Sequence, residues 1–468
     1  MFLEDTPFDS YDKAERKAYK AFELYENGCI PQALFELDAA LEMNPCSGAL
    51  HFNKALALDA ANRFEDAIAE YEIALQFNPL DLEILNSVAI DYTRIGQYDQ
   101  AISAFERIEE IDPDFEPCYC NRIITYTEMG LHESAEQMFY LAQLIDPDCA
   151  LCYYNIGNSL FAGGKYKKAV YCWLKTAGLD PSHPEINYRI AQAYWADGNK
   201  DLAREHFLKE LRLSPGNTDV ILDFGLFLLN TGDVESAKEK FNRILELTPD
   251  SAVATFYLGE IAFDGGDYEQ AILLFNQAIQ KDNALPGPRY RLAQYALMNP
   301  DKSGQEEAKD FLMPEMKLAS EDVDVLVSMG SMFLIIGEYY HAANCFLRAI
   351  DIDCASADAY YYLGLANALN GRLDDAAEFL GHTLDLRPND IFAIRDSAIV
   401  CLAMGRMTEA SARIKRAVDL AKSRPDPDFI GGDPDLSGQL KAIERDIQLA
   451  QKGEQVKDFL GRFNPLFK

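Results

Sequence analysis

The chain has 468 residues, a formal net charge of −33 and a sequence pI near 4.5. So acidic a surface argues against nucleic acid, whose phosphates are held by Lys and Arg, and points instead to a protein or peptide partner of basic or neutral character. Ten cysteines are scattered without a small-domain disulfide framework, and the opening MFLEDTPFDSYD turns acidic at once, so reduced thiols and a cytoplasmic setting are expected.

Residues 1–13 read as a lead-in segment. From there a proline returns at a fixed interval: Pro45, Pro79, Pro113, Pro147, Pro181, Pro215 and Pro249 are each 34 residues apart. Asn283 holds the next beat, and after a slip Cys354 and Pro388 resume it. The beat divides residues 14–424 into about twelve units with repeating chemistry. A small residue stands inside each predicted first helix, as at Ala55, Ala89, Gly157 and Gly259. A second opens the predicted second helix, as at Ala67, Ala101, Ala169 and Ala271, and a large apolar residue follows four positions on, as at Tyr71, Phe105, Trp173 and Phe275. That spacing puts Ala and aromatic on one helical face, with room for two helices to approach. Gly between the helices and Pro after them stop each in turn, which predicts antiparallel pairs and an all-α solenoid.

Two units depart from the rule. The fourth has Ile123 where Gly or Ala is usual, which predicts a slightly spread pair. The ninth, residues 286–322, is three residues longer than the others. Its inter-helix segment is polar, and Pro314 falls where it should kink or end the second helix, so a defect or hinge is expected around residues 298–320. The most apolar run, Val325 to Ile336, is too short to span a bilayer. Residues 425–468 lose the period: a Pro/Gly-rich loop is followed by Leu436, Leu440, Ile443, Ile447 and Ala450 on one helical face, the mark of a capping helix. A basic, aromatic tail ending in FLGRFNPLFK closes the chain.

Tyr153-x-x-Ile156-Gly157, with Ala169-x-x-x-Trp173 and Pro181, closely resembles the tetratricopeptide repeat signature. Leu258-Gly259 with Ala271 and Phe275, and Tyr360-x-x-Leu363-Gly364 with Ala376 and Pro388, resemble it as well. The resemblance implies a right-handed superhelix with a concave groove lined by first helices, and little about what fills it. Two specialised family roles are not supported: the lysines of the co-chaperone carboxylate clamp are absent, and Asn53, Asn121 and Asn155 read as isolated rungs of an asparagine ladder.

On each first helix, the face opposite the packing stripe recurs at fixed positions. In units five to nine it supplies Tyr154, Asn155, Asn158 and Phe161, then Tyr188, Arg189, Gln192 and Trp195. Phe256, Glu260 and Phe263 follow, then Tyr290, Arg291 and Gln294. Aromatics offer contact area, and amide and guanidinium groups can pair with the backbone of an extended peptide, so these residues are the candidate peptide-binding groove. Some of the aromatics are also suited to packing between repeats.

No catalytic constellation or cofactor is expected. Gly163-Gly164-Lys165 looks like a phosphate loop, but Tyr166 stands where Ser or Thr would bind magnesium, and an inter-helix turn explains it better. Cys118, Cys120, Cys149 and Cys152 have the count for a tetrahedral zinc. Neighbouring repeats lie about a helix diameter apart, which favours cysteine as a small buried apolar residue. The leading expectation is a non-enzymatic scaffold that captures a protein segment. The alternative is a regulatory or targeting subunit of a separate enzyme, in which case that enzyme would be its stoichiometric partner.

Overall fold

The computed structural model describes residues 7–298, 302–318, 322–423 and 436–451. The tail from residue 452 and the loop before residue 436 lie outside them. The described residues contain no strand, and no helix among them is long and apolar enough to cross a membrane. The chain forms two compact units that divide between Asp233 and Val234.

In the first unit, six hairpins follow one another: α1 (Pro7–Glu26) with α2 (Ile30–Met43), α3 (Gly48–Ala60) with α4 (Phe64–Phe77), and α5 (Leu82–Arg94) with α6 (Tyr98–Ile111). Then come α7 (Glu116–Glu128) with α8 (His132–Ile145), α9 (Ala150–Ala162) with α10 (Tyr166–Leu179), and α11 (Ile186–Ala196) with α12 (Lys200–Leu213). Helix α13 (Thr218–Asn230) closes this unit. The second unit opens with α14 (Val234–Leu247) and continues through α15 (Ala252–Asp264), α16 (Tyr268–Lys281), α17 (Pro288–Ala296) and α18 (Lys302–Glu315). It is completed by α19 (Val323–Ile335), α20 (Tyr339–Ile352), α21 (Ala357–Leu369), α22 (Leu373–Leu386), α23 (Ile391–Ala403), α24 (Met407–Ser423) and α25 (Leu436–Gln451).

Short turns force the helices of each hairpin to run antiparallel. The turn after α9 shows how. Gly164 adopts φ +70°, its N–H donates to Phe161 O at 3.0 Å, and Lys165 N–H donates to Leu160 O at 2.8 Å. This is the Schellman arrangement, which glycine enters without steric cost. In the second hairpin Asn62 takes the same left-handed conformation, at φ 57°. Where Ser, Asp or Asn precedes a first helix it caps that helix: Ser47 Oγ accepts from Leu50 N–H, and Asp81 and Asp390 act likewise.

The core lies within and between hairpins. The small residue opening each second helix is fully buried, from Ala33 and Ala67 to Ala376 and Ala410. Its partner four positions on is buried too, as at Tyr71, Phe105, Trp173, Phe207 and Phe346. The first-helix glycines leave room for those rings. A Cβ on Gly157 would come within 2.6 Å of Trp173 Cδ1, and one on Gly259 within 2.7 Å of Phe275 Cε1. In the fourth hairpin, Ile123 is fully buried in the glycine's place, while Phe139 keeps 8 % exposure and sets its ring edge-on to Tyr153 at 5.2 Å. The larger side chain displaces the ring.

The long ninth unit differs at both of its helices. Gly287, at φ 108°, lies between Pro286 and Pro288, and α17 is only 9 residues long. Pro314 is the penultimate residue of α18, so the bond its nitrogen cannot donate to the preceding turn is lost in the helix's last turn. Buried Glu315 reaches back to accept from Gly287 N–H at 2.5 Å. At the other end of the second unit, Leu440, Ile443 and Ile447 of α25 join Ile391, Ile394, Ile399 and Ile414 in one buried cluster. The same region buries Arg395 and Asp396 completely. Arg395 Nε donates to Asp396 Oδ1 at 2.7 Å, Arg395 Nη1 donates to Gln439 Oε1 at 2.8 Å, and Tyr361 Oη donates to Asp396 Oδ2 at 2.6 Å.

Candidate interaction face

Side chains on a first helix that point away from its hairpin partner meet the matching side chains one repeat along. In the first unit they are tied together by polar bonds. Asn121 Nδ2 donates to Asn86 Oδ1 at 3.1 Å, joining α7 to α5. Asn155 Nδ2 donates to Cys120 O at 3.3 Å, joining α9 to α7. Between α11 and α13, Tyr188 Oη and Gln192 Nε2 both donate to Asp223 Oδ2, at 2.7 and 2.9 Å. Trp195 Nε1 donates to Asn230 Oδ1 at 3.4 Å. Burial, then the Asp223 carboxylate, pushes the Tyr188 hydroxyl well above its usual range.

The candidate groove residues of this unit separate into two groups. Tyr188, Arg189 and Gln192 are half-buried and form one polar patch with Asp223, in which Arg189 Nη1 donates to Gln192 Oε1 at 3.5 Å. Asn155 is buried, whereas Tyr154 and Asn158 are half-buried. Phe161 turns into its own hairpin, 5.7 Å from the Trp173 ring and 5.4 Å from that of Tyr166. Trp195 sits edge-on to Phe227 at 5.7 Å. Asp223 and Asn230 were missed by the sequence reading, although Asp223 stands 34 residues after Arg189. Counting one beat onward from the polar positions would have found it.

In the second unit, α15 and α17 are joined by a two-pronged ion pair. Arg291 Nε and Nη2 donate to Glu260 Oε1 and Oε2 at 2.7 and 2.5 Å, and Arg291 Nη1 donates to Gln294 Oε1 at 2.9 Å. The guanidinium lies 5.3 Å over the Phe263 ring and 5.9 Å over Tyr290. Burial pushes the Glu260 carboxyl above the usual carboxylate range despite that partner. Phe256 packs on Phe275 at 5.8 Å, and Phe263 is buried.

Beyond this pair, α17, α19 and α21 enclose an open groove of about 430 Å³. Tyr290, Gln294, Val327, Ser328, Ser331 and Tyr362 line it, with Leu297, Met298, Met332 and Ile335 as further apolar wall. Tyr290 and Gln294 are among the candidate groove residues. The α19 and α21 positions are not, since the candidate positions were counted only through units five to nine. The groove lining is uncharged, in a chain of net charge −33.

Of the four cysteines grouped by sequence, Cys118 is buried apart, its Sγ donating to Phe105 O at 3.3 Å. Cys120, Cys149 and Cys152 do converge, and Glu116 joins them.

Helix hairpins repeated on a 34-residue beat, with polar and aromatic side chains meeting between successive first helices, define a repeat protein of the helix-hairpin class. Tetratricopeptide repeat profiles match residues 20–82, 154–218, 222–286 and 336–391, with a further match at 92–115. The chain belongs to the tetratricopeptide repeat family. No curated protein sequence matches it. Among solved structures it is similar to yeast Tom70, with 15% identity, a TM-score of 0.46, and coverage of 92% of this chain and 99% of that one. A tetratricopeptide repeat protein from Parabacteroides merdae ATCC 43184 has 18% identity, a TM-score of 0.43, and coverage of 52% and 96%. The Cut9-Hcn1 structure has 13% identity, a TM-score of 0.38, and coverage of 93% and 96%.

Proposed function

We propose that the protein is a non-enzymatic interaction scaffold that holds an extended, uncharged segment of a partner protein on first-helix surfaces. The observation that carries this reading is the groove between α17, α19 and α21. Its lining combines the apolar area of Tyr290, Val327, Ile335 and Tyr362 with the amide of Gln294 and the hydroxyls of Ser328 and Ser331. An extended peptide needs both: apolar contacts that remove its side chains from water, and donors and acceptors for its backbone. The Glu260–Arg291–Gln294 bonds hold one wall in place before the partner arrives, which lowers the ordering cost of binding.

The test is selection of a random peptide library on the purified protein, with binders retested on Ser331→Arg. Arginine there fills the groove and charges it, and circular dichroism checks that the variant folds. Uncharged, aromatic-containing peptides should be enriched, and Ser331→Arg should weaken them by about tenfold or more, the equivalent of about 1.4 kcal/mol. Peptides that bind the variant as well as the wild type would place the binding site elsewhere.

A further inference from the structure

The meeting of α7 and α9 carries chemistry that peptide capture does not use. Glu116 and Cys120 lie four residues apart on α7, on one helical face. Cys149 is the N-cap of α9, and Cys152 follows in its first turn. Their ligand atoms all lie within 4.8 Å of one another. The distance between neighbouring repeats, which argues against a shared ion when backbones are compared, is spanned by side chains. The α9 N-cap directs Cys149 back toward α7, and Glu116 takes the place expected of Cys118.

We propose that Cys120, Cys149, Cys152 and Glu116 form a structural site for a thiolate-preferring divalent metal ion, zinc above all, which pins the fourth repeat to the fifth. Zinc takes four ligands in a tetrahedron, with Zn–S bonds of about 2.3 Å, so its sulfur edges measure about 3.8 Å. No separation among the four atoms exceeds 4.8 Å, so the widest needs to close by only about 1 Å, while the 2.7 Å contact between Cys152 Sγ and Glu116 Oε1 opens to admit the ion. Three soft sulfurs with one carboxylate oxygen suit zinc rather than magnesium or calcium, which favour all-oxygen sites.

The surroundings fit the chemistry. Asn155, only 5 % exposed, aims its amide at Cys120 Sγ at 3.4 Å, and the Cys152 backbone N–H donates to Cys149 Sγ at 3.2 Å. Such donors orient sulfur ligands and spread their negative charge. Cys120 and Cys152 are buried, while Glu116 and Cys149 are half-buried and leave an entry path. Binding is not a redox step. The three thiols release three protons to solvent as their sulfurs bind, the glutamate binds as the carboxylate, and no electron moves.

The experiment uses the full chain, purified with reductant and without chelator. Elemental analysis should find about one zinc per chain. After metal removal, cobalt(II) should saturate at about one ion per chain, with the intense visible bands and sulfur-to-metal charge transfer of a tetrahedral thiolate site, and zinc should displace it. Cys152→Ser should weaken cobalt binding more than about tenfold, while Cys118→Ser should leave it unchanged. The proposal is overturned if the wild type shows no saturable tetrahedral cobalt spectrum, or if Cys118→Ser and Cys152→Ser lower binding equally. Should Cys152→Ser fail to fold, the wild-type cobalt spectrum decides the matter alone.

Discussion

Single atoms set the distance between the helices of a hairpin. Gly157 faces the Trp173 indole, and a methyl group added there would stand 2.6 Å from Trp173 Cδ1. Since Trp173 is fully enclosed, it cannot move aside. Gly157→Ala should therefore cost about 1–3 kcal/mol, the usual range for overpacking, measured by urea unfolding followed by circular dichroism. Combined with Trp173→Leu, the same change should cost much less; an equal cost in both backgrounds would point to helix propensity or strain instead. This position was legible in the sequence because the beat itself exposes the small-residue column. Asp91 was not legible. Burial and the neighbouring Asp59 carboxylate push its carboxyl up to about 7, against the pull of Arg94. The folded state thus keeps that proton to higher pH than the unfolded chain, whose carboxyl titrates near 4. Stability from this site is present below pH 4 and falls as pH rises through 7. Asp91→Asn, which leaves Asp59, Arg94 and Tyr71 in place, should raise the melting temperature at pH 8 and make little difference at pH 5. A larger gain at pH 5 than at pH 8 would contradict it. Nothing in the 34-residue pattern announces two carboxyls meeting across a repeat boundary.

At the scale of the element, α25 shows how an apolar stripe is covered. Its apolar stripe could be read as a capping helix, and Leu440, Ile443 and Ile447 are indeed buried against α23 and α24. Arg395 and Asp396, by contrast, look in sequence like ordinary surface charge. They become an enclosed pair only because Gln439 of α25 and Tyr361 of α21 complete their bonds. Removing one member leaves the other buried without its counter-charge, which costs about 3–5 kcal/mol. Asp396→Ala should accordingly destabilise the second unit by that amount in urea unfolding followed by circular dichroism. A loss below about 1 kcal/mol would show the pair to be reached by water. The ninth unit was half legible. Its three extra residues and Pro314 announced an irregularity, but the reply from Glu315 to Gly287 could not be read, because it joins residues 28 apart through a side chain.

Over the whole molecule, stability is the sum of repeats and their nearest-neighbour contacts, so unfolding need not be a single step. The chain offers an unusually clean test. Its two tryptophans, Trp173 and Trp195, both belong to the first unit, whereas helical circular dichroism reports on both units. Fluorescence and dichroism should therefore give separate urea midpoints, and a second-unit change such as Asp396→Ala should move the dichroism curve while leaving the fluorescence curve nearly in place. Coincident curves would mean that the two units unfold as one. Hairpin identity, turn positions and the core columns were all legible because each is a short-range property repeated a dozen times. The groove lining and the metal-site geometry were not, since both depend on side chains meeting across repeats.

The turns have a consequence for how such a chain can change in length. Gly164 and Gly371 face open space, and each ends its first helix in the same left-handed conformation. A block cut from one such turn to the next therefore has matching ends, and duplicating or deleting it creates no new kind of junction. Unequal crossing-over can add or remove whole repeats, and length becomes a quantity counted in units of 34 residues. The 37 positions of residues 286–322 fall outside that arithmetic. A block cut there would carry three residues more than its neighbours, together with the Glu315–Gly287 bond that ties its two helices.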